Sequence, residues 1–385
     1  MPQEVDLTRK PRLRLFTATG LLLVGVILAL DYSLKQIGNA LKTPKAEPSQ
    51  SDASPAHRFY SKEFHHGFAP RTSGIEQYGP FQAQYFINSM GMRDQAVRNI
   101  SMEVKGKRIL LMGDSYVDGV GLPFEKTVAG QLSPMISGLE VLNGGVASYC
   151  PSLIRDRLRV WVDRQQLRFD LLVAFIDISD LENELCYIKD QTGNYQKNCS
   201  EEFASFRKIN MAADQKFRRL LVRSVEKNFV VLGAVVRNLR IAYQEAGCPG
   251  GTMEWDYADW PAYQGPLEPW IRKSLEKQSE AMDEVASLCR GQGAGLAVVV
   301  YPWLQQVRRG HGEDRHTLFW QKWCESRQVP FLNLYPDFLS VRKEIREYVL
   351  ADEDSHWCDR GCQLVARRLV DLLKQCGILS SASSS

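Results

Sequence analysis

Few residues in this chain have the type and the setting to do chemistry. In "ILLMGDSYVDGVG" (109–121) an apolar run ends at Gly-Asp-Ser, and glycine returns at positions 119 and 121. A serine that follows a strand stands at the carboxyl edge of a sheet, where its backbone N–H can help bind an oxyanion. Serine alone is a weak nucleophile and needs a base within hydrogen-bond reach. The six histidines are His57, His65, His66, His311, His316 and His356. Of these, His356 in "DEDSHW" (352–357) sits beside a suitable orienting acid just before a helical pattern. Asp354 can hold the imidazole tautomer and leave the other ring nitrogen to take the serine proton. Ser115, His356 and Asp354 together spell acyl transfer through an acyl-enzyme. That chemistry requires no metal and no organic cofactor.

Those residues need a scaffold that brings positions 115 and 356 together. "RILLMG" (108–113), "LEVLNGG" (139–145), "DLLVAFIDIS" (170–179), "GLAVVVYP" (295–302) and "PFLNLYP" (330–336) read as buried strands bounded by Gly, Pro or Asp. Helical patterns fill the gaps at 125–136, 152–166, 274–291 and 361–377. Strand and helix in alternation predict an α/β fold, a mainly parallel sheet between two helical layers. Ligands in such sheets bind beyond the carboxyl ends of the strands. Residues 186–270 break the alternation and read as a helical insertion, whose stretch 207–240 holds nine Lys/Arg against Asp214 and Glu226. A solvated cap explains that stretch; docking on anionic lipid or on a membrane-bound acyl-donor partner is the other reading.

The N-terminus suggests a membrane. "RKPRLR" (9–14) precedes sixteen uncharged residues, "LFTATGLLLVGVILAL" (15–30). The expectation is a basic cytoplasmic N-terminus (1–14), a single-pass signal-anchor (15–34) and a polar Pro/Ser-rich linker (35–57). A folded domain (58–379) then stands on the far side of an inner membrane, in the periplasm or outside the cell, and a tail follows (380–385). A cleaved signal peptide competes, with "GNA" (38–40) as its small-residue site. A net charge of +3, without zinc-finger or phosphate-loop patterns, argues against nucleic acid as a partner. Nine cysteines leave at least one thiol unpaired. Cys186 with Cys199, or Cys358 with Cys362, could close short loops, and "HWCDRGC" (356–362) is too sparse for a zinc site.

With these blocks in place, the sequence resembles the SGNH, or GDSL-like, hydrolase superfamily. "MGDSYVDG" (112–119) matches its first block and "DSHW" (354–357) its last, in the Asp-x-His form of polysaccharide O-acetyltransferases. The Asp-x-x-His spacing common in the superfamily would put Glu353 in the place of Asp354. "FHHGFAP" (64–70), "INSMGMRD" (87–94) and "YPW" (301–303) are similar to a membrane-anchored bacterial branch. The resemblance implies a flavodoxin-like three-layer fold over roughly 58–376. It also implies activity on acyl esters of envelope or exopolysaccharide, as esterase or as O-acyltransferase. In the second block, "LNGGVASY" (142–149), the oxyanion position is Ser148, with Gly145 as the alternative. In the third, "FIDISDLENE" (175–184), Ser179-Asp180 replaces the usual Asn-Asp, so a serine hydroxyl stands where an asparagine amide would donate. Asp114 and Asp180 are structural acids or site residues. His65 and His66 read as structural or surface histidines, with lining the cleft as the alternative. The aromatic stretches 253–270 and 301–307 pack, or stack on sugar rings. A non-catalytic carbohydrate-binding or polysaccharide-assembly protein on the same fold is the rival to catalysis.

Overall fold

The computed structural model describes residues 24–38, 57–103, 106–197, 224–225, 228–236, 239, 267, 269–310, 312, 314–351 and 354–379. The chain divides into two compact units, Met1–Ser51 with Met211–Glu254, and Asp52–Asn210 with Trp255–Ser385.

The larger unit holds fourteen described strands. They are β1 (Arg58–Ser61), β2 (His65–Phe68), β3 (Ser73–Tyr78), β4 (Phe81–Ile87), β5 (Arg93–Asp94), β6 (Arg108–Met112), β7 (Glu140–Asn143), β8 (Leu171–Ile176), β9 (Tyr187–Lys189), β10 (Tyr195–Lys197), β11 (Gly295–Val300), β12 (Phe331–Asn333), β13 (Val349–Ala351) and β14 (Asp354–Trp357). Its helices are α1 (Ser115–Asp118), α2 (Val128–Leu132), α3 (Pro151–Arg159), α4 (Asp180–Cys186), α5 (Pro269–Gly291), α6 (Leu304–Arg309), α7 (Arg315–Arg327), α8 (Tyr335–Ser340) and α9 (Asp359–Gln375).

Eight strands form one sheet in the order β12-β11-β8-β6-β7-β5-β4-β3. The first five run parallel, and β5, β4 and β3 extend the sheet antiparallel from the β7 edge. Alternate side chains of the central strands point to opposite faces, as a period of two requires. Leu110, Leu172 and Val298 pack in one core with Leu158 of α3, Trp161 just after it, Val285 of α5 and Trp320 of α7. Ile109, Leu111, Val173 and Val299 pack in another with Leu132 of α2 and Leu369 of α9. These strands are apolar on both faces because helices cover both, and each such buried Leu or Val is worth roughly 1.5–3 kcal/mol. The fold is the expected α/β layering around a mainly parallel sheet.

The N-terminal strands β3–β5 extend that sheet beyond the strands expected from the sequence, although β4 alternates Phe81, Ala83, Tyr85 and Ile87 inward with Gln82 and Gln84 outward. The inward face of β3 carries Gly74, Glu76 and Tyr78, while Ile75 points out and is 58% exposed. The polarity is the reverse of an ordinary half-buried strand, so alternation misleads there.

The smaller unit contains a helix over 24–38 and a short helical stretch over 231–236. The Asp31 carboxylate accepts the backbone N–H groups of Val230, Val231 and Leu232, each at 2.8 Å, and so caps the start of that second stretch. The expected single-pass anchor, with its inner-membrane placement of the chain, is overturned. No helix among the described residues is long and apolar enough to cross a membrane. The described helical residues 24–38 cover about 22 Å and include Asp31 and Lys35. Residues 1–23, most of the expected linker and most of the basic insertion lie outside the described residues, as does the aromatic stretch 253–266.

Among the described cysteines, Cys186 is in a disulfide, whereas Cys358 and Cys362 are both free thiols. Cys199, its expected partner, is outside the described residues.

Candidate active site

Ser115 is the first residue of α1, immediately beyond the carboxyl end of β6. Asp114 caps this helix, its Oδ1 accepting the Tyr116 N–H at 3.0 Å. The turn ends after four residues at Gly119, whose φ of 78° is left-handed and whose missing side chain leaves room for Thr127. A Cβ there would lie 2.4 Å from Thr127 Cγ2, so both geometry and space call for glycine. Arg93, wholly buried, ties this segment down from the other side. Its guanidinium donates to the carbonyls of Asp118 (2.6 Å), Gly119 (2.7 Å) and Leu122, and its Cζ lies 3.7 Å above the Tyr85 ring.

His356 is in β14, which pairs with β13 just ahead of α9. Its Nε2 is 2.7 Å from the Ser115 hydroxyl oxygen, across 241 residues of sequence. The ring sits 4.7 Å from that of Tyr116 and 5.2 Å from that of Tyr78. On the far side, Nδ1 is 2.9 Å from the Tyr78 hydroxyl. Tyr78 ends β3, and a two-residue turn over Gly79 and Pro80 leads into β4. The sequence contains no motif that would single it out. The backbone of Asp354 lies in β14, paired with Ala351; its side chain and all of Glu353 are outside the described residues.

Of the two candidate oxyanion positions in the second block, the structure separates Ser148 from Gly145. Ser148 has a φ of 65°, a left-handed conformation that a residue with a Cβ adopts only at a cost. Its N–H has no acceptor among the described residues. The Gly145 N–H instead donates to Asn143 Oδ1 at 3.0 Å, and a Cβ at 145 would run into the backbone of Asp118 at 2.4 Å. Gly145 is a packing glycine beneath α1. The Ser115 N–H, in the first turn of α1, has no acceptor within the helix.

Ser179 is not placed as the expected oxyanion donor. Its one hydroxyl proton goes to Asp177 Oδ1 at 2.7 Å, and its N–H goes to the same oxygen. Trp303 Nε1 donates to the other oxygen of Asp177 at 2.6 Å, and Asp180 Oδ2 accepts the Asp177 N–H at 3.1 Å. Asp114, Asp177 and Asp180 thus gather under the strand ends, away from solvent. Tyr301 donates to Asp114 Oδ1 at 2.8 Å. Burial, reinforced by the nearby Asp177 charge, raises the Asp114 carboxyl to about 7. Burial and the same neighbour raise Asp180 well above its ordinary range. Tyr301 is thus buried in this acid cluster, and the half-buried Trp303 is tied to it through Nε1.

The other described histidines are held elsewhere. His57 is buried against Glu76 at 2.7 Å, and His316 lies wholly buried beside Trp320, where desolvation lowers its basicity. His65 and His66 lie beside the Ser148 turn. No group of residues among those described could hold a metal ion.

No protein-family model and no curated protein matches the chain. Solved structures do. In layout the chain is similar to GDSL-type hydrolases. A member of the lipolytic protein G-D-S-L family from Veillonella parvula DSM 2008 is 9% identical, with a TM-score of 0.38 over 70% of this chain and 98% of that one. An acetylxylan esterase from Geobacillus stearothermophilus is 12% identical, with a TM-score of 0.38 over 71% of this chain and 96% of that one. LAE5, an alpha/beta hydrolase from the metagenome of Lake Arreo, is 12% identical, with a TM-score of 0.39 over 73% and 99%.

Proposed function

We propose that the chain is a serine-dependent esterase, or an acyltransferase using the same acyl-enzyme, acting on acyl esters of a carbohydrate. The observation that carries the reaction type is the 2.7 Å approach of Ser115 Oγ to His356 Nε2. In the productive tautomer Nε2 is unprotonated and Nδ1 carries the hydrogen, which the Tyr78 oxygen and the carboxylate assigned to Asp354 share. His356 takes the Ser115 proton as Oγ attacks the ester carbonyl. The N–H groups of Ser115 and Ser148 receive the oxyanion of the tetrahedral intermediate. Protonated His356 then gives its proton to the departing alkoxide, leaving the acyl group on Oγ. Water, or a sugar hydroxyl, loses a proton to His356 and attacks that ester, and Ser115 is regenerated. Asp354 is assigned to support His356 on the strength of its spacing. A carbohydrate ester rests on the family resemblance, and the acetyl group is its simplest acyl candidate.

The test is hydrolysis of a small activated acetyl ester by the full chain, beside Ser115→Ala and His356→Ala. Turnover lost in both variants, with an acetyl adduct on Ser115 by mass spectrometry, is the expected result. Equal turnover in all three proteins would remove the serine mechanism. One observation favours the rival reading of a carbohydrate-binding protein: the third oxyanion donor is missing, because Ser179 is turned to Asp177. Glycan binding that survives Ser115→Ala, with no turnover and no adduct in the parent chain, would select that reading.

A further inference from the structure

We propose that His66, backed by His65, is a positioning residue for the backbone donor at Ser148. This rests on the oxyanion role assigned to that N–H above. His66 Nε2 lies 2.7 Å from the Ala147 carbonyl oxygen. A carbonyl can only accept, so Nε2 carries the hydrogen. His66 Nδ1 is 2.7 Å from His65 Nδ1, and one of that pair must carry a proton. With both rings neutral, His65 Nδ1–H donates to His66 Nδ1.

The carbonyl that His66 holds belongs to the peptide unit whose other end is the Ser148 N–H. A trans peptide is planar, with its C=O and N–H pointing in opposite directions. Fixing the Ala147 oxygen therefore fixes the direction of the Ser148 hydrogen. A hydrogen bond at the carbonyl also polarises the amide, which makes its N–H a stronger donor. The chain of donors runs from His65 to His66, to the Ala147–Ser148 peptide, and out to the oxyanion.

This support has work to do at Ser148. Its φ of 65° is unfavourable for a residue with a Cβ, so the turn needs an outside hold. His66 grips it twice, since the Tyr149 hydroxyl also donates to the His66 carbonyl at 2.7 Å. The His66 ring meets those of Tyr149 and Tyr187 at 5.2 and 5.5 Å, which restricts its rotation. The segment "FHHGFAP" thus gains a purpose in the reaction without touching the substrate.

The experiment compares the full chain with His66→Met, His66→Gln and Ser115→Ala on a small activated acetyl ester. His66→Met removes the donor to Ala147 and should lower kcat roughly 10- to 100-fold. KM should stay within about twofold, because the interaction is one made with the developing oxyanion. His66→Gln retains an N–H that can reach the same carbonyl, and it should recover most of the lost kcat. Unchanged kcat in His66→Met would overturn the proposal. So would equal losses in the Met and Gln variants, which would mark a merely structural ring. Turnover that persists in Ser115→Ala would instead bring down the esterase reading on which the proposal stands.

Discussion

The Tyr78 hydroxyl lies 2.9 Å from Nδ1 of His356, on the side of the ring opposite the nitrogen that faces Ser115. The strand that carries Tyr78 is fixed by ion pairs on the same face. Two residues earlier, Glu76 accepts from His57 at 2.7 Å and from Arg58, and Arg58 also approaches Asp118 at 3.6 Å. Burial opposes ionisation of Glu76, yet the His57 and Arg58 hydrogen bonds win and take it down to about 2. Glu76 and Asp118 thus link the Tyr78 strand to the helix of Ser115.

Tyr78 orients His356, and a neutral phenol oxygen can hold the tautomer without matching a carboxylate in stabilising imidazolium. Tyr78→Phe should lower kcat on an acetyl ester about 5- to 20-fold, a hydrogen-bond-sized effect. Its thermal midpoint should stay close to that of the parent, since the ring packing is kept. An unchanged kcat would show that Tyr78 is only a neighbour.

Asp354 and Glu353 can be told apart by removing each carboxylate in turn. With Asp354 behind His356, Asp354→Asn should cost about 10²- to 10⁴-fold in kcat, while Glu353→Gln stays near the parent. The opposite order in steady-state rates would assign the role to Glu353.

Arg93 is the sharpest stability prediction. It satisfies three carbonyls around the turn after Ser115 and lies 3.8 Å from the buried Asp118 carboxylate. Arg93→Met leaves those acceptors unpaired and removes one of the two cations near Asp118. The expected cost is about 3–5 kcal/mol, read from urea unfolding. A loss under 1 kcal/mol, by the same measure, would mean that the turn holds itself.

The central strands were legible because β6, β7, β8, β11 and β12 are short apolar runs with turn residues at both ends. Ser115 and His356 were legible as residues at a strand end and before a helix. Tyr78 was not, because its strand hides Glu76 and a phenol inside and shows Ile75 to solvent. Ser179 looked like a displaced asparagine; only three-dimensional structure reveals that its proton belongs to Asp177. The anchor failed for a related reason. Hydropathy over 15–30 takes no account of Asp31, whose carboxylate meets three backbone N–H groups from residues about two hundred positions away.

Ser148 gives a prediction in which the side chain should not matter and the backbone should. Ser148→Gly keeps the N–H and relieves the left-handed strain, at about 1 kcal/mol, against a similar entropy cost. Activity and stability should both remain near those of the parent. Ser148→Val places a β-branched residue at a φ of 65° and should lose most of the kcat. Full activity in the valine variant would remove the turn from the oxyanion site.

Asp114 makes stability fall with pH over a definite window. Its carboxyl has an ordinary value of 3.8, and burial beside Asp177 raises it to about 7 in the folded chain. The folded state therefore holds the proton more tightly, and unfolding releases it between about pH 4 and 7. This contribution is complete below about pH 4 and is lost as pH rises through 7, a change on the order of 2–4 kcal/mol. Asp114→Asn cannot ionise, while its side-chain carbonyl can still cap Tyr116 and accept from Tyr301. Urea unfolding at pH 5 and pH 8 should show a smaller drop in the Asn variant than in the parent. Asp180, raised by the same burial, keeps the remaining slope from vanishing. Identical drops in the two proteins would mean that Asp114 is already ionised in the folded chain, so the proton held under Ser115 would have to sit on another carboxyl of the cluster.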